Sequence, residues 1–200
     1  MDEREVFIGA NNACNASVQQ IKDEQWDDTL PDGPEFKAGQ VTSMTLRTLV
    51  NYLAYDNAWM PDMMAGRSMD DAGKERFDGD LLGEFPKPNF ASFVDEANAA
   101  VRSLDDLDQM VHFSYGSFPA RDALKHVTSF RGLRAYDIAK FIGADTTLPD
   151  DVVQGLWDEI HPDIELWRSA GIFAAEVPVP EDAPLQDRLL GMTGRQPRSF

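Results

Sequence analysis

Apolar residues recur along this chain at helical spacing, and the longest such stretch runs from Pro119 to Gly143. Proline suits the first helical position, where no backbone N–H is needed, and glycine suits the left-handed position just past a helix end. Between them Val127, Phe130, Ile138 and Phe141 fall on one face of a 3.6-residue repeat, which predicts one long helix. Arg134 occupies a slot on that face where the period asks for an apolar residue. A guanidinium stays charged, so an inward Arg134 requires an anionic partner.

The remaining pattern predicts further helices. Phe7, Ala10, Cys14, Ser17, Val18 and Ile21 mark an amphipathic helix over 3–25. Residues 27–41, with Pro31, Gly33, Pro34 and Gly39, read as a loop. Thr45 caps a second helix that reaches Trp59 or beyond, with Leu46, Leu49, Leu53 and Met60 on its apolar face. Asp56 projects into the middle of that face, beside Tyr52. Residues 61–89 lack periodicity, and Met60, Met63, Met64 and Met69 either line a flexible pocket wall or fill gaps in the core. Asn89 is expected to cap a third helix carrying Phe90, Phe93, Val94, Ala97 and Val101. Val111 and Phe113 alternate with His112 ahead of a turn at Tyr115-Gly116-Ser117. Pro149 opens a last large helix ending near Gly171, with Trp157, Ile160, Ile164 and Trp167 on its face. A proline-containing extended stretch and a short helix over about residues 184–193 close the chain. No repeat or linker divides the sequence, so residues 1–200 are expected to form a single all-α domain, a bundle of antiparallel helices.

Composition narrows the function. The chain is 42% hydrophobic, with 12 Phe and 4 Trp, enough for a sizeable core. Its 35 acidic and 18 basic residues give a net charge of −17, which argues against nucleic acid and anionic membranes as partners. No apolar run reaches the length of a membrane span, and the first residues do not read as a signal peptide. The single cysteine, Cys14, lies on the inner face of its helix with no basic neighbour in sequence, as a structural thiol does. It also rules out an internal disulfide and fits a reducing, cytoplasmic setting.

Three stretches carry a resemblance. LRTLVNYLAYDNAW, LRAYDIAKFIGADTTLP and GIFAAEVPVPEDAPLQDRLLGMTGRQP resemble segments of the actinobacterial branch of the DinB-like superfamily, which is related to the metal-binding domain of mycothiol-dependent maleylpyruvate isomerase. The resemblance implies a DinB-like four-helix bundle with a pocket between the helices. Metal-binding relatives place a histidine on the second helix and a carboxylate or histidine, followed four residues later by a histidine, on the long helix. The matching positions here are Tyr52, Phe130 and Arg134. Phenylalanine and a protonated guanidinium offer no lone pair, so no metal and no other cofactor is expected. His112, His126 and His161 lie in separate segments and do not restore the ligand set.

The replaced pocket then holds an Arg, Asp and Tyr constellation. Arg134 would bind a substrate anion through its planar fork, with Tyr55, Trp59 and Phe130 around it. Asp56, or Asp62 further along the same helix, would act as a general base, and Tyr52 would donate a hydrogen bond. An Asp56–Arg134 salt bridge filling an inactive pocket is the alternative. Asp137, with Tyr136, matches the family's Trp-Asp pair and is expected to bond backbone at a helix junction. The resemblance thus implies a metal-independent enzyme acting on a small, anionic, reactive metabolite by transfer, elimination or ring formation, in secondary metabolism. A non-catalytic binding or scaffolding subunit, as a homodimer or beside a different protein, is the second class, and a mycothiol-dependent S-transferase or isomerase the third.

Overall fold

The computed structural model describes residues 1–33 and 44–197. Of the predicted loop over 27–41, residues 34–41 lie outside the described residues. The described residues are mostly helical and form one two-stranded antiparallel sheet. The helices are α1 (Glu3–Gln19), α2 (Leu46–Met64), α3 (Met69–Ala72), α4 (Pro86–Arg102), α5 (Ala120–Ile142), α6 (Asp150–Ile160), α7 (Ile164–Ser169) and α8 (Leu185–Met192). The strands are β1 (Met110–Phe113) and β2 (Gly116–Pro119).

Local chemistry sets most of the ends. At α1 the Asp2 carboxylate accepts from the Arg4 and Glu5 backbone N–H groups, and the Glu5 carboxylate accepts from the Asp2 N–H at 2.9 Å. This reciprocal box satisfies donors that a helix start leaves open. Thr45 Oγ1 accepts from the Thr48 N–H at 3.2 Å at the start of α2. Pro119 precedes α5, and Gly143 ends it at φ 75°, left-handed backbone that favours glycine.

Four expected boundaries move. The helix expected over 3–25 ends at Gln19, and Asp23–Gln25 form a separate tighter turn. The helix assigned to an Asn89 cap starts at Pro86, whose missing N–H costs nothing in a first turn; Asn89 lies inside and donates from Nδ2 to the Leu82 carbonyl at 2.8 Å. The helix expected over 149–171 breaks into α6, a tighter turn at His161–Asp163, and α7. Pro162 sits in the break, where it cannot continue the backbone hydrogen bonds. The hairpin pairs Phe113 with Gly116, so its turn residues are Ser114 and Tyr115, one position earlier than expected.

Packing follows the apolar faces. α1 lies along α5 and α4, α2 packs on α4, and α6 rests on α5, α1 and α8. The largest buried cluster joins residues of α1, α2, α4, α5, α6 and α8, including Leu49, Leu53, Phe90, Val94, Leu133, Ile138 and Leu156. A second gathers Phe7, Met60, Met64, Val101 and Leu124 beneath the hairpin residues Val111 and Phe113. α6 approaches its neighbours at glycines: a Cβ on Gly155 would stand 2.7 Å from Val6, and one on Gly132 of α5 2.5 Å from Leu156. Cys14 is buried in the larger cluster, where burial pushes its thiol up to about 12 and leaves it neutral and inert.

The last segment is pinned back on α5. Arg195 reaches Asp137, and the Gln196 carbonyl accepts from Tyr136 Oη at 3.0 Å and Lys140 Nζ at 2.6 Å. Arg168 of α7 donates to the Met192 carbonyl at 2.7 Å, joining α7 to the end of α8. These ties carry residues 171–174 and 193–195 to the mouth of the site. Among the described residues no helix is long and apolar enough to cross a membrane.

Candidate functional site

A cavity of about 900 Å³ opens between α2 and α5, bounded by the hairpin tip and by the α7–tail segment. From α2 it takes Tyr52, Tyr55, Asp56, Trp59, Met60 and Met63. These positions recur every three or four residues, so one helical face lines it. From α5 come His126, Phe130, Arg131 and Arg134, again one face. Tyr115 closes one side from the hairpin, and Trp167, Phe173 and Arg195 another. Met60, Met63 and Met69 line the wall, while Met64 stays in the core.

Aromatic rings dominate the surface. Tyr55 and Trp59 meet edge to face at 6.1 Å between centroids, and Tyr52 stacks beside Tyr55 at 6.4 Å. His126 meets Trp167 edge to face at 5.7 Å, and Trp167 leans on Phe173 at 6.0 Å. Tyr115 lies 5.4 Å from Phe113, and its phenol is 3.5 Å from His126 Nδ1. Burial and the Asp56 charge push the Tyr115 phenol up to about 12, and the same causes raise Tyr52. Both phenols thus remain protonated donors. Burial lowers His126 below its ordinary value, which favours the neutral ring.

Three guanidinium groups reach the cavity, each held differently. Arg134 is 4% exposed, so it points inward as the sequence indicates. Its partner is not Asp56. Arg134 Nη1 donates to Asp137 Oδ2 at 3.0 Å, one turn along the same helix, and its Cζ lies 4.9 Å over the Phe130 ring. Arg195 completes the group, donating from Nε to Asp137 Oδ1 at 2.9 Å and from Nη2 to Oδ2 at 3.0 Å. Asp137 therefore binds two arginines rather than backbone, which corrects the sequence expectation for it.

Arg131 was not singled out by the sequence. It is 2% exposed. Its Nε donates to Asn57 Oδ1 of α2 at 3.1 Å, its Nη1 to the Val127 carbonyl at 3.0 Å, and its Cζ sits 4.8 Å over the Phe7 ring. Its Nη2 is buried without a hydrogen-bond partner among the described residues. Trp59 Nε1 and Trp167 Nε1 share that condition. A buried charged donor without an acceptor costs upwards of about 1–3 kcal/mol, so the fold leaves an acceptor wanted here.

Asp56 faces the same cavity. Burial pushes its carboxyl up to about 6, and the Arg131 charge limits the rise. A carboxyl near 6 is half-ionised at about pH 6 and mostly ionised at neutral pH, so it is present as a base while still basic enough to accept a proton. Asp62 is different: it is 2% exposed, lies outside the cavity, and pairs with Arg67 and with Arg76 Nη1 at 3.0 Å. Six residues along a helix turn a side chain through about 240°, so Asp62 cannot share the face of Asp56. Asp62 thus stands outside the candidate site.

The structure thus brings together Tyr52, Tyr55, Asp56, Trp59, Phe130 and Arg134, and adds Arg131, Arg195, Tyr115 and Trp167. An Arg-Gly-Leu-Arg spacing puts Arg131 about one turn from Arg134 and was the available signal for it. Nothing in the sequence announces Arg195, which meets Asp137 across 58 positions. The positions that the resemblance equates with metal ligands do not form a donor set. Tyr52 is 47% exposed, Phe130 has no donor atom, and Arg134 is bound to Asp137. Among the described residues no three His, Cys, Asp or Glu side chains converge to hold a metal ion. Comparison with protein-family models, with curated proteins and with solved structures gave no match.

A second sheltered carboxyl lies outside the cavity. Both Glu159 oxygens are buried without a hydrogen-bond partner among the described residues, in a cleft with Lys125 and Glu3. Burial pushes this acid from 4.5 up to about 8, against the attraction of Lys125. An acid whose folded value exceeds its unfolded one stabilises the fold below the unfolded value. That contribution is lost as pH rises from 4.5 through about 8. Melting temperature is therefore expected to fall over that window, and Glu159→Gln to flatten the fall and raise the melting temperature at its alkaline end.

Proposed function

We propose that this chain is a metal-independent enzyme of the DinB-like kind, with α1, α2, α4 and α5 as its four-helix bundle, acting on a small anionic metabolite. Asp56 is the base. It removes a proton from a substrate whose anionic group is drawn to Arg131, while Arg134 and Arg195 are held by Asp137 at the cavity wall. Tyr52 and Tyr55 are the hydrogen-bond donors, and Trp59 and Phe130 shape the apolar wall. Proton removal followed by loss or internal transfer of a group accounts for elimination, transfer or ring formation alike. The observation that supports this reading is a carboxyl raised to about 6 in one cavity with a guanidinium that has an unmet donor.

The experiment is solvent deuterium exchange. A panel of small oxo acids is incubated with the protein in heavy water and followed by proton NMR. Exchange next to the carbonyl is expected to accelerate for at least one acid, with a pH midpoint near 6 that Asp56→Asn abolishes. No acceleration across the panel, or acceleration unchanged in Asp56→Asn, contradicts it. A second reading, a non-catalytic binding or scaffolding subunit, draws support from Arg134: its charge is taken up by Asp137 inside the fold. A mycothiol-dependent transfer draws the least, because no donor set here would activate the thiol.

A further inference from the structure

The polar groups of the cavity are unequal in kind and number. Donors prevail: Arg131 Nη2, Trp59 Nε1 and Trp167 Nε1 are buried without acceptors among the described residues. The lining carboxyl group is Asp56, since Asp137 is occupied by Arg134 and Arg195. Around these groups stand rings from every bounding element: Tyr55 and Trp59 on α2, Tyr115 on the hairpin, Phe130 on α5, Trp167 and Phe173 at the α7–tail segment.

From this juxtaposition we infer that the ligand is a flat aromatic monoanion of the arylcarboxylate class, its ring among the aromatic side chains of α2 and the α7–tail segment and its anionic group turned to Arg131. The inference rests on the anion-binding reading above and narrows it. Ring faces and edges from separate elements match a flat π-surface better than a flexible alkyl chain, because offset and edge-to-face contacts add to area burial. One charge is favoured over two. Arg131 has one nitrogen without a partner, and the Asp56 carboxyl beside it repels a second negative charge. A carboxylate is matched by one charged donor; a phosphate dianion needs more charged donors than Arg131 offers.

Isothermal titration calorimetry near neutral pH tests this on the intact chain with four probes: naphthoate, naphthalenemethanol, naphthyl phosphate and octanoate. Naphthoate is expected to bind at least about tenfold more tightly than each of the others, the scale of one charge-assisted hydrogen bond. Arg131→Met is expected to bring naphthoate down to the level of the alcohol. Trp167→Leu, at the half-buried edge of the cavity, is expected to weaken naphthoate and leave octanoate unchanged. If octanoate binds as tightly as naphthoate, and depends on Arg131, the aromatic inference fails while the anion reading stands. Tighter binding of naphthyl phosphate overturns the single charge. If no anion binds in a manner that depends on Arg131, the inference and the reading beneath it both fall.

Discussion

Asp137→Ala is expected to destabilise the fold by about 3–5 kcal/mol, the usual cost of stripping the partner from a buried charge. The reason is local and severe. The Arg134 and Arg195 side chains are 5% and 10% exposed, and both close on this carboxylate. Removing it strips the shared carboxylate from both guanidinium groups. It also releases the anchor that returns residue 195 to α5, so the tail that bounds the cavity loosens at the same time. Urea unfolding at neutral pH measures the loss. Asp137→Asn keeps the shape and part of the hydrogen bonding, and should cost less. A loss under about 1 kcal/mol for the alanine variant would mean that the paired arginines are solvated in solution.

Arg131→Met produces the second large effect, and of a different kind. This arginine is buried with one N–H group unmet, so a methionine of comparable length relieves a cost as well as removing a contact. Stability is expected to hold or rise, even though Asn57 Oδ1 loses a donor. Function moves the other way. Arg131 is the cation that restrains the rise of the Asp56 carboxyl. Without it Asp56 should protonate at a pH above 6, and bound carboxylates should weaken by about ten- to hundredfold. Unfolding midpoint and ligand affinity, measured on the same preparation, separate the two. A variant that loses stability and keeps affinity would assign Arg131 to the core alone.

Much of the scaffold was legible because it is written in neighbouring residues. Pro119 and Gly143 bracket α5, Thr45 starts α2, and the apolar repeat between them orients Asp56 and Arg134 inward. The departures have equally local causes. Pro86 and Pro162 each carry a backbone restriction that outweighs the side-chain pattern around it. The site itself was less legible. Counting apolar positions along α5 found Arg134, but the buried face there extends through 131–139 and includes Arg131. The carboxylate that Arg134 meets, Asp137, is one turn away on its own helix, and the third member arrives from the tail. A contact spanning 58 positions leaves no periodic trace in a single chain. Asp62 failed for a reason that helix geometry alone supplies, since it turns away from Asp56 toward Arg67 and Arg76.

The account stands on the carboxyl of Asp56 sharing the cavity that Arg131 lines with the anionic group of a ligand. Carbon-13 NMR of the side-chain carboxyl groups, titrated with and without naphthoate, reads this directly, with Asp56→Asn assigning the resonance. The predicted result is a midpoint near 6 in the free protein that moves to higher pH when the anion is bound. A midpoint at the ordinary aspartate value of about 3.9, unmoved by the anion, would contradict it.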